Sequence, residues 1–229
     1  MKNSALILVL ILLSCTDSSN LQSDPINEPF LMVSESNKWY QNGSLEELDV
    51  PNGILKEIRR KLIYYFEGDT LITNVLFKKM YSKQFDSIFH QSISGGLQQY
   101  HSIFNSINYV TAMRQESDLV YYVPANQSTE EVYVDFNVSI GEVLNYKWNV
   151  NNEAVTEIDS IQIGATYLTK YKLSNDQYFY EGIGASYGLF KGWEVATEVG
   201  GFLNCFKFET DKIGIDEGFN APINFCPEF

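Results

Sequence analysis

Histidine, cysteine and positively charged residues are scarce in this chain of 229 residues. Two histidines and three cysteines leave few side chains for a metal centre or for nucleophilic catalysis. Sixteen Lys and Arg residues stand against 29 Asp and Glu residues, which gives a formal net charge of −13. Because such an acidic surface repels phosphate backbones, we expect no nucleic-acid partner.

Long apolar runs are also rare, and the nine-residue run over 5–13 lies at the N-terminus. As a helix it would reach about 14 Å, which is too short for a bilayer core of about 30 Å and is typical of a cleaved export signal. The sequence LLSC over 12–15 follows and resembles the bacterial lipobox. The resemblance implies that 1–14 are a lipoprotein signal peptide and that Cys15 carries the acyl chains. The alternative is an ordinary signal peptide with a chance cysteine.

The polar, proline-containing segment 15–30 is typical of a flexible tether, which leaves 31–229 as a single domain. If Cys15 is acylated, Cys205 and Cys226 remain as an even pair in an oxidising compartment. We therefore predict a disulfide between them, with a stabilisation of about 3 kcal/mol for a loop of this order. The alternative is two buried free thiols.

The folded part of the chain has the character of a β-protein. Aromatic residues make up 14% of the chain, which favours strands. Residues 55–66 fit either a helix or a strand, and the run 63–66 (IYYF) favours the strand. Strand patterns every 8–12 residues predict an all-β antiparallel meander that forms a partly closed barrel or a sandwich. Helix-like spacing of apolar residues over 84–108 predicts a short helical excursion there.

Several short motifs follow one another in a distinctive order between about Trp39 and Phe206. They are GDTLI over 68–72, VYYVP over 120–124, YVDFN over 133–137, GE over 141–142, IDSI over 158–161, EGIG over 181–184, GLF over 188–190 and LNCF over 203–206. Their order resembles a class of uncharacterised secreted β-rich domains and lipoproteins from Bacteroidota, with related domains upstream of type IX secretion sorting domains. The resemblance implies a fold and a compartment, and it brings no established activity.

The residues that could carry catalysis do not form a recognisable constellation in the sequence. Glu181 stands beside two glycines without a second carboxylate, so it cannot do two-carboxylate acid–base work. His90 and His101 lie near serines, but the chain has no Gly-x-Ser-x-Gly elbow and no His-Glu-x-x-His motif. We predict no catalytic residue, no cofactor and no metal. The alternative is a hydrolase that acts on envelope or extracellular polymers.

The three tryptophans, Trp39, Trp148 and Trp193, are the candidate ligand-binding residues. Flat aromatic faces stack on sugar rings, although aromatic residues in sheets more often form the core. Trp193 is the strongest candidate because glycines on both sides allow the backbone to present its ring outward. The sequence thus predicts a lipid-anchored protein of the outer membrane, on its periplasmic or surface face. Its predicted role is non-catalytic binding or structural support, with the membrane and a glycan or protein ligand as partners.

Overall fold

The structure is a computed structural model that describes residues 30–149, 151–163, 166–186, 188–190, 202–208 and 211–214. The described residues form strands joined by turns, and every pair of strands is antiparallel, which confirms the all-β prediction. The strands are β1 (Asn37–Asp49), β2 (Ile54–Ile72), β3 (Val75–Ser92), β4 (Gln99–Glu116), β5 (Leu119–Pro124), β6 (Glu131–Asp135), β7 (Val155–Ile163), β8 (Thr166–Leu173), β9 (Tyr178–Tyr180), β10 (Gly184–Ala185), β11 (Phe202–Phe208) and β12 (Asp211–Gly214).

Two sheets contain all of these strands. The large sheet has eight strands in the order β12-β11-β1-β2-β3-β4-β5-β6, and it curls into a half-barrel. The small sheet has four strands in the order β10-β9-β8-β7. From β1 to β6 each strand lies beside its neighbour in sequence, as the meander prediction requires. The turn at Thr73 and Asn74 joins β2 to β3, and these residues adopt positive φ angles of 48° and 67°.

The core lies between the concave face of the large sheet and the small sheet. Residues 55–66 lie within β2, so the strand interpretation of this segment is confirmed. Phe66 of β2 and Met80 of β3 are directly opposed and buried, and they mark the core face of these strands. Phe77 is also fully buried, but it belongs to a separate small cluster with Ala112 and Val123. The largest fully buried side chains of the core between the sheets are Trp39, Tyr133, Phe179, Phe206, Met32, Met80, Met113, Leu144, Leu168, Leu173 and Ile183.

The predicted helical excursion over 84–108 is wrong. This segment is the outer part of a long hairpin, in which β3 and β4 are paired from Lys78 and Met113 out to His90 and Gln99. The turn beyond includes Gly95 and Gly96, at φ +98° and +140°. A spacing of four residues places side chains on one face of a helix and also on one face of a strand. The apolar spacing therefore could not distinguish the two structures.

The predicted signal peptide and nearly all of the tether, residues 1–29, lie outside the described residues. Cys205 is buried in β11 and is disulfide-bonded. Cys226 lies outside the described residues, so the pairing of these two cysteines stays a prediction. In the described part of the chain, no helix is long and apolar enough to cross a bilayer.

Candidate functional site

The structure does not bring the tryptophans together as an exposed platform. Trp39 is fully buried, at 0% exposure, so its predicted ligand-binding role is wrong. Its indole packs against Phe66 and Phe206, with ring centroids 5.8 and 5.2 Å away. Trp148 is partly buried and packs against the same core cluster. Trp193 lies outside the described residues.

Trp39 is buried because of its register in the sheet. It opposes Tyr64 of β2 and Phe206 of β11, which places it on the concave side of the large sheet. There its indole N–H donates a hydrogen bond to the main-chain oxygen of Ile183 at 2.7 Å. A tryptophan on the concave face of an interior strand is core, although its sequence neighbours are polar.

The residues considered for catalysis have structural partners. The carboxylate of Glu181 accepts hydrogen bonds from the main-chain N–H of Thr169, at 3.2 Å, and from its hydroxyl, at 2.5 Å. His90 and His101 come from facing strands and stack on each other, with centroids 4.2 Å apart and planes 15° from parallel. Neither arrangement places a base against a nucleophile.

Charged side chains on the small sheet line a shallow depression. Glu157 and Asp159 of β7 lie opposite Lys172 and Lys170 of β8, and Tyr178 completes the lining. Since two carboxylates and two ammonium groups line it, this depression has little net charge. Within the described ranges, no three His, Cys, Asp or Glu side chains are grouped closely enough to hold a metal ion.

A row of three tyrosines crosses the face of the large sheet that is turned away from the core, and we call it the tyrosine row. Tyr65 of β2 opposes Tyr81 of β3, and Tyr81 opposes Tyr109 of β4. The rings of Tyr65 and Tyr81 are stacked, with centroids 6.0 Å apart and planes at 28°. Tyr109 meets Tyr81 edge to face at 5.9 Å, and 42% of Tyr109 is exposed. The row brings three aromatic rings together on three neighbouring strands, with Tyr65 and Tyr81 partly exposed and Tyr109 exposed.

A register shift in the sheet completes the tyrosine row. Met80 opposes Thr111, whereas the next residue, Tyr81, opposes Tyr109, so Val110 is an extra residue in β4. Such a β-bulge changes which side chain faces outward. Without the extra residue, Val110 would oppose Tyr81 and the row would contain only two tyrosines.

Basic side chains surround the tyrosine row in this otherwise acidic protein. Lys38 opposes Tyr65 and extends the row onto β1. Lys79 and Lys83 lie two residues before and two residues after Tyr81 on β3, and so share its face. On β2, Glu67 adds one negative charge near Tyr65. Lys38 and Lys83 are exposed, and Lys79 is partly exposed.

The hydroxyl groups of Tyr65 and Tyr109 remain protonated at neutral pH. Partial burial raises the pKa of Tyr65, and the negative charges of Glu67 and ionised Tyr81 raise it further. Partial burial also raises the pKa of Tyr109, and the electrostatic effect of Tyr81 adds a smaller contribution in the same direction. Each of these hydroxyls can therefore both donate and accept a hydrogen bond at neutral pH.

Sequence reasoning did not find the tyrosine row. Tyr64 and Tyr65 are adjacent, and a strand turns one toward the core and the other outward. The alternation of β2 could have marked Tyr65 as the outward-facing residue. The alignment of Tyr65 with Tyr81 and Tyr109 depends on pairing between strands and on the bulge, which no local pattern encodes.

Comparison of the chain with known protein families, with curated proteins and with solved structures finds no match.

Proposed function

We propose that this protein is a non-catalytic, lipid-anchored glycan-binding protein of the bacterial cell envelope. The observation that carries the proposal is the tyrosine row on the outward face of the large sheet. The anchor is Cys15, on the strength of the lipobox-like sequence over 12–15. The tether over 15–30 would place the domain at a distance from the membrane surface.

The chemistry of the row fits a sugar chain. Sugar rings have C–H faces that pack on aromatic rings and hydroxyl groups that pair with hydroxyl groups. Tyr65, Tyr81 and Tyr109 supply both kinds of contact at a regular spacing of 6.0 and 5.9 Å. A row of this kind on a sheet face binds an extended chain and needs no deep pocket.

The lysines around the row favour an acidic glycan. Lys38, Lys79 and Lys83 would attract carboxylate or sulfate groups on the sugars, whereas the protein as a whole, at a net charge of −13, repels them. We therefore propose glycans that carry uronic acids or sulfate groups as the ligand class. Binding of this kind weakens as salt concentration rises.

Calorimetry tests the proposal by measuring how tightly the purified full-length protein binds polyuronate oligosaccharides and neutral β-glucan oligosaccharides. Polyuronate should bind more tightly. Tyr81→Ala should weaken its binding about three- to tenfold, since an aromatic contact contributes about 0.5–1.5 kcal/mol. The matched control is Tyr100→Ala, which removes an exposed tyrosine outside the row. Equal losses in both variants, or no binding of either sugar, would contradict the proposal.

The anchor has a separate test. Cells that export the protein are fed an alkyne-tagged fatty acid, and the protein is then isolated and coupled to a fluorophore. We expect labelling of the wild-type protein and of the control variant Ser18→Ala, and none of Cys15→Ala. Labelling of Cys15→Ala at the wild-type level would exclude Cys15 as the acylated residue.

A further inference from the structure

The outer part of β4 has an open edge. Strand β5 pairs with β4 only over residues 111–116, whereas β3 continues along β4 out to Gln99. In the described part of the chain, no strand pairs with the other side of residues 99–110. At about 3.4 Å per residue, these twelve residues make an edge about 40 Å long. We call this segment the open edge.

The open edge lacks the features that usually protect such strands. Edge strands are commonly blunted by charged residues or proline, which prevent pairing with another chain. The sequence QYHSIFNSINYV over 99–110 contains no Lys, Arg, Asp, Glu or Pro, although charged residues make up 20% of the chain. Bulges do occur, at residues 101 and 110, and they bound an unbroken stretch between them. Three exposed apolar side chains lie in this stretch: Ile103, Phe104 and Ile107, at 60%, 52% and 60% exposure.

The charge of the protein indicates which partner fits this edge. Two copies of a chain with a net charge of −13 repel each other over most of their surface. The open edge carries no formal charge, so a second copy can approach there without opposing like charges. We propose that the open edge pairs with the open edge of a second copy of this chain, in an antiparallel two-fold dimer that joins the two large sheets.

The sequence of the edge is close to self-complementary, as a two-fold contact requires. In an antiparallel pair centred on Asn105, Ile103 of one copy opposes Ile107 of the other. Ser102 then opposes Asn108, and Asn105 opposes Asn105, so three of the four kinds of pair between residues 102 and 108 match in character. Phe104 opposes Ser106 and is the unlike pair. The opposed isoleucine pair occurs twice and would provide the largest apolar contact of the interface.

Cysteine cross-linking tests both the dimer and its register. In this dimer Asn105 opposes Asn105 of the second copy, and opposed Cα atoms lie about 4.5–5.5 Å apart, which is within disulfide range. Asn105→Cys in the full-length protein should therefore form a covalent dimer under mild oxidation. The matched control is Asn108→Cys, an exposed residue of the same strand whose two copies would lie about 20 Å apart.

A covalent dimer of Asn105→Cys with little or none from Asn108→Cys supports the proposal. The proposal is overturned if Asn105→Cys forms no covalent dimer, or if Asn105→Cys and Asn108→Cys form equal amounts of it. A covalent link from Asn105→Cys to a different protein also overturns it.

A second measurement needs no disulfide: light scattering of the detergent-purified protein should give twice the monomer mass. Asn105→Lys, which opposes two like charges at the two-fold axis, should reduce that mass to the monomer, and Asn108→Lys should change it less. A wild-type protein that is monomeric throughout the micromolar range would also overturn the proposal.

Discussion

The indole N–H of Trp39 donates a hydrogen bond to the main-chain oxygen of Ile183, a residue 144 positions away in the sequence. Trp39 lies in β1 of the large sheet, and Ile183 lies in the turn between β9 and β10 of the small sheet. Both side chains are fully buried. The bond therefore connects the two sheets across the core at the turn that carries Gly182.

Replacement of Trp39 by phenylalanine keeps an aromatic ring and removes the N–H. It leaves a buried carbonyl oxygen without its partner, at about 1–3 kcal/mol, and also opens a small cavity. We expect Trp39→Phe to lower the free energy of unfolding by about 2–4 kcal/mol, measured by urea denaturation.

Trp148→Phe is the matched control for this substitution. The indole N–H of Trp148 is buried and has no hydrogen-bond partner in the described part of the chain. Its removal therefore sacrifices no hydrogen bond, and the loss should be less than half of that in Trp39→Phe. Similar losses in the two variants would show that ring volume alone sets the effect and that the bond to Ile183 adds nothing.

An ion pair stabilises the middle of the long strands. Arg60 of β2 donates two hydrogen bonds of 2.7 Å to the buried carboxylate of Asp86 on β3. Arg60→Met would leave this carboxylate with the single bond of 2.9 Å from Gln84. An uncompensated buried charge costs about 3–5 kcal/mol, so we expect a loss of about 3 kcal/mol in the free energy of unfolding.

Two further variants separate the ion pair from simple loss of an arginine. Arg59→Met removes the neighbouring exposed arginine, whose solvent-screened pair with Glu57 should contribute much less to stability. The double variant Arg60→Met with Asp86→Leu removes both charges and should recover most of the stability lost in Arg60→Met. No recovery in the double variant would contradict the explanation based on a stranded charge.

The sequence was sufficient to predict the fold class and the strand over 55–66, because these depend on local chemistry. The hairpin at Thr73 and Asn74 follows from the tolerance of asparagine for positive φ. The strand over 55–66 follows from its β-branched and aromatic residues. Features of this kind are set within a few residues of the chain.

Other features depend on strand pairing and could not be predicted. Phe85 and Phe89 are four residues apart and resemble a helical face, yet they share one face of β3. The extra residue at position 101 makes Tyr100 and Ile103 share a face at a spacing of three, which imitates a helix further. The burial of Trp39 depends in the same way on pairing with β11, more than 160 residues further along the chain.

Alkaline pH should destabilise the protein through buried tyrosines. Burial raises the pKa of Tyr171 to about 12, and the charge of Glu181 adds to the effect. Tyr171 is 4% exposed and donates a hydrogen bond of 2.9 Å to the main-chain oxygen of Phe136. The folded-state pKa of Tyr171 lies above the unfolded value of about 10, so its protonated hydroxyl stabilises the folded state fully below pH 10. This contribution to the free energy of unfolding is lost between pH 10 and 12, at about 1.4 kcal/mol per pH unit.

Urea denaturation at pH 8, 10 and 11 measures this dependence. Tyr171→Phe should be less stable than the wild type at pH 8, because it lacks the bond to Phe136, but it should lose less stability between pH 10 and 11. The control is Tyr167→Phe, an exposed tyrosine of the same strand, whose pH dependence should match that of the wild type. An unchanged slope in Tyr171→Phe would contradict the assignment to this residue.

The turn after β9 requires glycine at position 182. Gly182 adopts φ +69°, and a Cβ atom there would collide with the ring of Phe30, which is itself buried in the core. We expect Gly182→Ala to lower the free energy of unfolding by about 3 kcal/mol, from backbone strain of about 1 kcal/mol together with displacement of a core ring. Gly141→Ala is the control, because Gly141 adopts φ +91° with no atom within 4 Å of its Cβ position, so strain alone should act. If the collision is the cause, adding Phe30→Leu should offset part of the stability loss in Gly182→Ala and none of the loss in Gly141→Ala. If the effects are instead additive in both double variants, backbone strain alone explains the loss at Gly182.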